Sequence, residues 1–135
     1  LPDAGGRGAI RPVLAPGSDV QPGLRGRVVD VRPVGDAMFV LTEDALYRWD
    51  ADGWTGPLRE GVHALGRLTA LAAADGQLWV AGEGGVARLD LETQLWTTYL
   101  RPTDIPETPV YDVLPMGDDV WLATPAGALR LRWRH

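Results

Sequence analysis

The chain repeats one pattern of short apolar runs and turns three times, and this repeat limits its fold more than any other feature. Phe39, Trp79 and Trp121 occupy the same position in successive units and lie 40 and 42 residues apart. Apolar, glycine and charged residues around them recur at nearly the same two separations. Repetition with a period near 40 residues is typical of arrays built from one small structural unit. The sequence therefore predicts three such units.

Each unit contains the pattern expected of short β-strands. In the clearest one, Asp75-Gly76 precedes an apolar run at 77–81, and a glycine loop leads to a second run at 86–90. Such frequent turn residues exclude helices, and runs that are apolar on both faces indicate strands buried between stacked sheets. The inner strands are predicted at residues 28–32, 68–72 and 110–114. The units are predicted at residues 28–58, 68–100 and 110–133, within one domain of 135 residues.

The outer strands are unequally distributed along the chain. Trp54 and Trp96 mark a fourth strand in the first two units, whereas the third unit ends without one. An apolar run at residues 9–16 lies where the outer strand of a preceding unit would be. Because open strand edges are usually covered in proteins, we expect the 9–16 strand to complete a C-terminal sheet, in the same chain or in a partner.

The motif Asp-Gly-x-Leu-Trp-Val-Ala-x-x-x-Gly-Val-x-Arg-Leu-Asp at residues 75–90 resembles the two-component-regulator propeller repeat, found in periplasmic sensor regions and other bacterial propellers. Residues 117–131 match it well, whereas 34–50 match less closely because Phe39 replaces the tryptophan. The resemblance covers about residues 28–133. It implies an all-β propeller of four-stranded antiparallel blades, three in this chain. A periplasmic or extracellular location is favoured over a cytoplasmic one.

Three blades do not close a ring, since propellers typically have about 4–8. A three-bladed wedge would expose an apolar blade face at each end, which exceeds what monomers tolerate. Two chains give six blades, so we expect a homodimer. The alternative is that the chain is one piece of a longer propeller or one subunit of a hetero-assembly.

The composition excludes several classes of function. The net charge of −5 and the pI near 4.9 argue against nucleic acid or an anionic membrane as the main partner. No apolar run reaches transmembrane length. The absence of cysteine excludes thiol nucleophiles and thiolate metal sites. Because no nucleophile elbow, phosphate loop or zincin motif is present either, we expect a protein that is not an enzyme and has no cofactor.

Few residues are candidates for metal chemistry. His63 and His135 are the only histidines and lack metal-ligand spacing, so no transition-metal site is expected and His63 is predicted to be a surface residue. Asp30 and Asp112 share an inner-strand position. In a dimer their four carboxylates could hold a hard cation near the axis. The alternative is that they accept hydrogen bonds from neighbouring strands or arginines.

Two other recurring residue types are interpreted as structural. Trp79 and Trp121 are predicted to pack between blades rather than to stack on sugars. Arg48, Arg88 and Arg130 recur at one position, and each is predicted to pair with an acidic neighbour in its blade.

Function is expected where connections between blades meet the loops between second and third strands, because loops on rigid scaffolds carry binding sites. The candidate binding residues are Glu43, Arg59, His63, Arg67, Glu83, Arg101, Asp104 and Glu107. Their mixed charges suit a protein partner or a small polar ligand. The predicted function is a binding or scaffold module that completes a six-bladed ring by dimerisation. The alternatives are a ligand-sensing or glycan-binding domain of a bacterial extracytoplasmic receptor, or a fragment of a larger propeller.

Overall fold

The computed structural model describes residues 27–134, in which three antiparallel sheets follow one another along the chain. Sheet 1 contains β1 (Val28–Val34), β2 (Ala37–Thr42), β3 (Leu46–Asp50) and β4 (Gly53–Leu58). Sheet 2 contains β5 (Leu68–Ala74), β6 (Gln77–Gly82), β7 (Gly85–Asp90) and β8 (Trp96–Leu100). Sheet 3 contains β9 (Asp112–Met116), β10 (Asp119–Thr124) and β11 (Gly127–Arg132). The predicted all-β class is confirmed.

Within this part of the chain, the single helical element is a 3₁₀ turn at His63–Leu65. No helix there is long and apolar enough to cross a membrane.

Each sheet is a simple meander, because every strand pairs with the next through a short turn. The turn between β5 and β6 shows why the sequence folds this way. Ala74 pairs with Gln77, which leaves Asp75 and Gly76 as the two central residues, with φ of +53° and +75°. Positive φ at both positions is the requirement of a type I′ turn, and the Asp-Gly dipeptide meets it at low cost.

The three sheets stack face against face, with sheet 2 in the middle. We call the face of each sheet that points toward the preceding sheet its leading face, and the opposite one its trailing face. Both faces of sheet 2 are covered, so every residue of β6 is buried. The leading face of sheet 2 packs against Phe39, Leu41 and Leu46 of sheet 1 through Leu68, Leu71, Leu78, Val80, Ala87 and Leu89. Its trailing face packs against Val110, Val113, Val120 and Leu122 through Ala70, Trp79, Ala81 and Val86.

The inner strands are also joined by hydrogen bonds between sheets. Asp30 accepts the Leu71 N–H through Oδ2 at 3.3 Å, and Arg32 Nε donates to the Leu71 carbonyl at 3.0 Å. Thr69 Oγ1 donates to the Val110 carbonyl at the next junction. These bonds satisfy backbone groups at the inner edges, which have no strand partner within their own sheets.

Several strand ends differ from the prediction by one or two residues, and one of these differences has a clear physical cause. The third inner strand starts at Asp112 rather than at residue 110, because the Val110 N–H donates to the Gly82 carbonyl of sheet 2 at 3.1 Å. Sheet 3 has three strands among the described residues, consistent with the missing fourth strand in its repeat. The predicted closing strand at 9–16 lies outside the described residues, as does His135.

Candidate binding face at the loop end of the sheets

Five connecting segments of the described chain lie at the same end of the three sheets, and we call the first four of them along the chain the loop face. They are residues 43–45, 59–67, 83–84 and 101–111. Backbone hydrogen bonds link each segment to the next sheet or segment. The Leu68 N–H donates to the Glu43 carbonyl at 2.8 Å, the Gly84 N–H to Leu65 at 2.8 Å, and the Arg101 N–H to Gly84 at 3.2 Å. The loops are therefore fixed to one another by main-chain bonds.

Close packing at the end of β6 explains why residue 82, at the start of the glycine loop, is a glycine. A Cβ at Gly82 would lie 2.8 Å from Leu65 Cβ and 2.9 Å from the Arg67 carbonyl oxygen. Glycine at this position lets the segment 59–67 lie directly on the end of the strand. The loop is thus a packing feature, and no helix follows it.

Two exposed ion pairs join neighbouring segments of the loop face. Arg59 Nη2 lies 3.8 Å from Asp44 Oδ2, and Arg67 Nε lies 3.9 Å from Glu83 Oε2. All four side chains are more than half exposed. Glu83 Oε1 also accepts the Arg67 N–H at 3.3 Å. Exposed pairs at this distance contribute about 0–1 kcal/mol to stability, so they can be exchanged for contacts with a ligand.

The remaining candidates in the segment 101–111 have different roles. Asp104 Oδ2 accepts the Leu100 N–H at 3.0 Å and closes a turn. Arg101 is exposed and has no acidic partner in the described part of the chain, and Glu107 is half-buried. The Arg101 guanidinium therefore has no acidic partner among the described residues, and its backbone N–H donates to Gly84, the residue after Glu83.

His63 lies in the 3₁₀ turn, is exposed, and approaches the Glu60 carbonyl through Nδ1 at 3.1 Å. Across residues 27–134, no three His, Cys, Asp or Glu side chains are grouped closely enough to hold a metal ion.

Comparison with solved structures identifies the architecture. The extracellular domain of the hybrid two-component system BT4673 from B. thetaiotaomicron is 16% identical, with a TM-score of 0.63 over 77% of this chain and 14% of that domain. The extracellular domain of BT3049 from the same organism is 17% identical, with a TM-score of 0.55 over 75% and 16%. The computationally designed Ika4 protein is 14% identical, with a TM-score of 0.61 over 87% and 69%. The fold is propeller-like.

These likenesses are structural, and the chain spans only about a seventh of the two natural domains' length. No protein-family profile matches the sequence, and no curated protein sequence matches it significantly.

The two candidate cation-binding carboxylates lie on the first strands of their sheets, Asp30 on β1 and Asp112 on β9. Asp30 is already engaged, since its Oδ2 accepts the Leu71 N–H and lies 3.3 Å from Arg32 Nη2. The Asp112 carboxylate has one hydrogen-bond partner among the described residues, the Val113 N–H at 2.9 Å. Asp30 therefore accepts a hydrogen bond from a neighbouring sheet and pairs with an arginine, which is the alternative predicted for it from the sequence.

Arg32 is a contact residue that the sequence did not single out. It has no equivalent in the other repeats, where Ala72 and Leu114 stand at its position, so the repeat pattern gave no signal for it.

The recurring arginines divide into two types. Arg48 pairs with Asp50, and Arg130 lies 4.0 Å from Asp119, as predicted. The prediction is wrong for Arg88, which donates to Gln77 and Thr97 and lies 4.8 Å from the centre of the Trp133 ring. Trp133 comes from sheet 3, so this cation–π contact depends on stacking between sheets.

Two carboxylates at the opposite end of the sheets, away from the loop face, have lowered pKa values. The Arg48 side chain and the Asp52 N–H lower the pKa of Asp50. The Thr93 N–H and then the Gln77 side chain lower the pKa of Asp90. Asp50 and Asp90 occupy the same repeat position and organise the β3–β4 and β7–β8 turns, so these shifts reflect turn structure rather than a catalytic site.

Proposed function

We propose that this chain is a non-enzymatic binding module whose loop face contacts a protein partner or a small polar ligand. The observation that carries the proposal is the state of three arginines on this face. Among the described residues, the guanidinium groups of Arg59 and Arg67 take part only in exposed ion pairs of 3.8 and 3.9 Å, and Arg101 has no acidic partner. Guanidinium groups in this state can form charge-assisted hydrogen bonds with a ligand at little cost in stability.

Binding is proposed rather than catalysis because the loop face presents no pair of groups arranged for proton transfer. The His63 ring approaches a backbone carbonyl and is exposed to solvent. A general base needs a reacting proton within about 2.6–3.2 Å and usually a shifted pKa. The two lowered carboxyl pKa values belong to turns at the other end of the sheets.

A second candidate function is a ligand-sensing or glycan-binding domain of a bacterial extracytoplasmic receptor. It is favoured by the likeness to extracellular domains of two-component systems from B. thetaiotaomicron. The repeat motif at residues 75–90 agrees with this source. Under this proposal the chain acts outside the cytoplasm and forms part of a larger propeller, since it spans a small share of those domains.

The proposed assembly is a six-bladed ring made of two chains. The three stacked sheets of residues 27–134 leave one face uncovered by described residues at each end, and two chains supply six such sheets, within the usual range of about 4–8 blades.

The test compares loop-face variants with a matched variant at the opposite end. Thermal unfolding is measured with a panel of amino acids, dicarboxylates and oligosaccharides, and protein partners are sought by cross-linking with mass spectrometry. A ligand or partner that binds the native chain should bind Arg101→Ala and Arg67→Ala at least about tenfold more weakly. Arg132→Ala removes an exposed arginine that pairs with Asp119 at 3.4 Å near the other end, and it should bind normally. Equal losses in all three variants would reject the loop face.

The same experiment separates the two functions. A raised Tm with one small compound indicates a sensing or glycan-binding domain, because a ligand that binds only the folded state stabilises it. A partner cross-linked to the loop face without any small-molecule shift indicates a scaffold.

A further inference from the structure

Exposed large apolar side chains are concentrated on two faces of the stack. Val28, Val31 and Trp49 lie on the leading face of sheet 1, where they are 46%, 43% and 39% exposed. On the trailing face of sheet 3, Leu114 and Met116 are each 58% exposed and Trp121 is 38% exposed. Contiguous apolar surface of this kind marks an interaction site.

Both faces are copies of surfaces that are buried inside the same molecule. Trp121 corresponds to Phe39 and Trp79, which are 3% and 0% exposed because the next sheet covers them. Val31 corresponds to Leu71 and Val113, which are 0% and 5% exposed because the preceding sheet covers them. The chain therefore holds two internal junctions that show how each open face is covered.

The trailing face of sheet 3 also carries a cavity and a carboxylate, Asp112, at the position of Asp30 in an internal junction. A cavity of about 150 Å³ opens there, lined by Asp112, Leu114, Trp121, Ala123 and Ala128 together with Val113 and Leu122. Asp112 Oδ1 accepts the following N–H at 2.9 Å, and Asp30 Oδ1 does the same at 2.9 Å. In Asp30 the second oxygen accepts a bond from the next sheet, whereas Oδ2 of Asp112 has no partner among the described residues.

We propose that the trailing face of sheet 3 docks against the leading face of sheet 1 in a second copy of this chain. In this interface Trp121 and Leu114 pack on Val31 and Trp49 of the second copy. Asp112 Oδ2 takes the place of Asp30 Oδ2 and shares the N–H of Val31 of the second copy. The inference rests on the proposed six-bladed ring and names the surfaces that would close it.

A second copy is the occupant that the molecule itself specifies. Each chain carries one trailing face and one leading face, and each is built at the repeat positions that already meet inside the chain. Two chains related by a twofold axis form two identical junctions and leave neither face open. Contacts between two different surfaces give closed rings when the rotation closes, and here closure needs six sheets.

The experiment measures the mass of the chain by light scattering and its dissociation constant by sedimentation, across a dilution series. The native chain should have twice the mass of one chain. Trp121→Arg and Val31→Arg each place a charge in both junctions, and each should raise the dissociation constant at least about thirtyfold. Leu95→Arg changes a turn residue of sheet 2 that is 68% exposed and on neither face, so it should remain dimeric.

Mixing the two variants tests which faces meet. A pair of one Trp121→Arg chain and one Val31→Arg chain combines both substitutions in one junction and leaves the other junction native. The mixture should therefore dimerise more tightly than either variant alone. Asp112→Ala removes one shared hydrogen bond from each of the two junctions, so its dissociation constant should rise about five- to tenfold.

Several results would overturn the proposal. A native chain that stays monomeric and folded, or that associates only with a different protein or a longer chain, excludes the second copy as occupant. A Val31→Arg chain that dimerises normally indicates trailing-to-trailing contact.

Circular dichroism of each variant shows that it is folded. Loss of loop-face binding in Arg101→Ala, with the dimer retained, separates this interface from the proposed binding function.

Discussion

Sheets 2 and 3 are built from the same repeat, yet they differ in how much of their apolar surface is covered. Trp79 on the trailing face of sheet 2 is fully buried, whereas its equivalent Trp121 on sheet 3 is 38% exposed. The residue type and the backbone position are the same. The difference shows that burial in this molecule is determined by the neighbouring sheet and not by the residue alone.

The same comparison separates Arg88 from Arg130. Arg88 on sheet 2 lies against Trp133, which sheet 3 supplies, and it donates to Gln77 and Thr97. Arg130, its equivalent on sheet 3, has no following sheet among the described residues and lies 4.0 Å from Asp119 of its own sheet. Arg48 lies on the trailing face of sheet 1, which sheet 2 covers, and still pairs with Asp50 of its own strand. A covering sheet is therefore not sufficient to replace the ion pair, and the contacts of Arg88 depend on the tryptophan that sheet 3 brings to it.

The largest expected effect comes from truncating the buried tryptophan. Trp79→Ala should lower the free energy of unfolding by about 3–5 kcal/mol, because it removes a fully buried ring from between sheets 2 and 3. The ring also stacks on Tyr99 at 6.0 Å and meets Trp133 edge-on at 5.7 Å. Trp121→Ala, measured on monomeric protein, should cost less than about 1 kcal/mol. Urea titration gives both values.

Trp79→Phe is the matched control for this pair. The indole N–H of Trp79 has no acceptor in the described structure, so phenylalanine loses ring volume but no hydrogen bond. It should be clearly more stable than the alanine variant. Equal destabilisation of Trp79→Ala and Trp121→Ala would show that both faces are covered in the monomer.

Glycines at the loop–strand boundary extend the comparison to the backbone. Gly85 and Gly127 occupy the same repeat position, with φ of +152° and +108°. A Cβ at Gly85 would lie 2.1 Å from the Tyr99 carbonyl oxygen in β8, whereas nothing lies within 4 Å of a Cβ at Gly127. Both alanine variants bear the strain of positive φ. Gly85→Ala should cost a further 1–3 kcal/mol or so because it displaces β8.

Equal destabilisation by Gly85→Ala and Gly127→Ala in urea titration would contradict this interpretation. It would mean that backbone conformation alone sets the cost at both positions.

The sequence predicted the features that the repeat encodes. Apolar runs on both faces of β6 indicated a strand between two sheets, and the Asp75-Gly76 turn followed from its dipeptide. Trp54 and Trp96 correctly marked the outer strands β4 and β8. Each of these features depends on residues close together in the chain, so a repeat in the sequence is sufficient to reveal it.

Contacts that occur once in the molecule were not predicted. Arg32 binds the Leu71 carbonyl of the next sheet, but the other repeats have no arginine at this position. Arg88 meets Trp133, which lies beyond the end of the repeat motif. At the loop face, the charged residues could be named from the sequence, but the Arg59–Asp44 and Arg67–Glu83 pairs depend on how the segments pack.

The smallest expected effect concerns the acidic turn residues Asp50 and Asp90. It compares sheets 2 and 3 through the pH dependence of the Tm. Asp50 and Asp90 occupy a position where sheet 3 has Arg132. The pKa of each carboxyl is held below its ordinary value of 3.8 by the hydrogen bonds of its turn. A carboxylate with a lower pKa in the folded state stabilises that state above pH 3.8, and this contribution is lost as the pH falls through the lowered value.

Asp90→Asn should therefore lower the Tm slightly at pH 7, by less than Gly127→Ala does, because Asp90 is only partly buried and solvent screens its carboxylate. The Tm difference from the native chain should shrink steadily as the pH falls below about 4.

Arg132→Gln at the equivalent position of sheet 3 removes a group that stays charged throughout this range. Its own effect comes from the ion pair between the exposed Arg132 side chain and the partly buried Asp119, 3.4 Å away. If the Tm difference of Asp90→Asn is unchanged from pH 7 to pH 3, asparagine destabilises the protein by altering the geometry of the turn and not by removing a charge. Sheets 2 and 3 would then differ at this position in shape rather than in electrostatics.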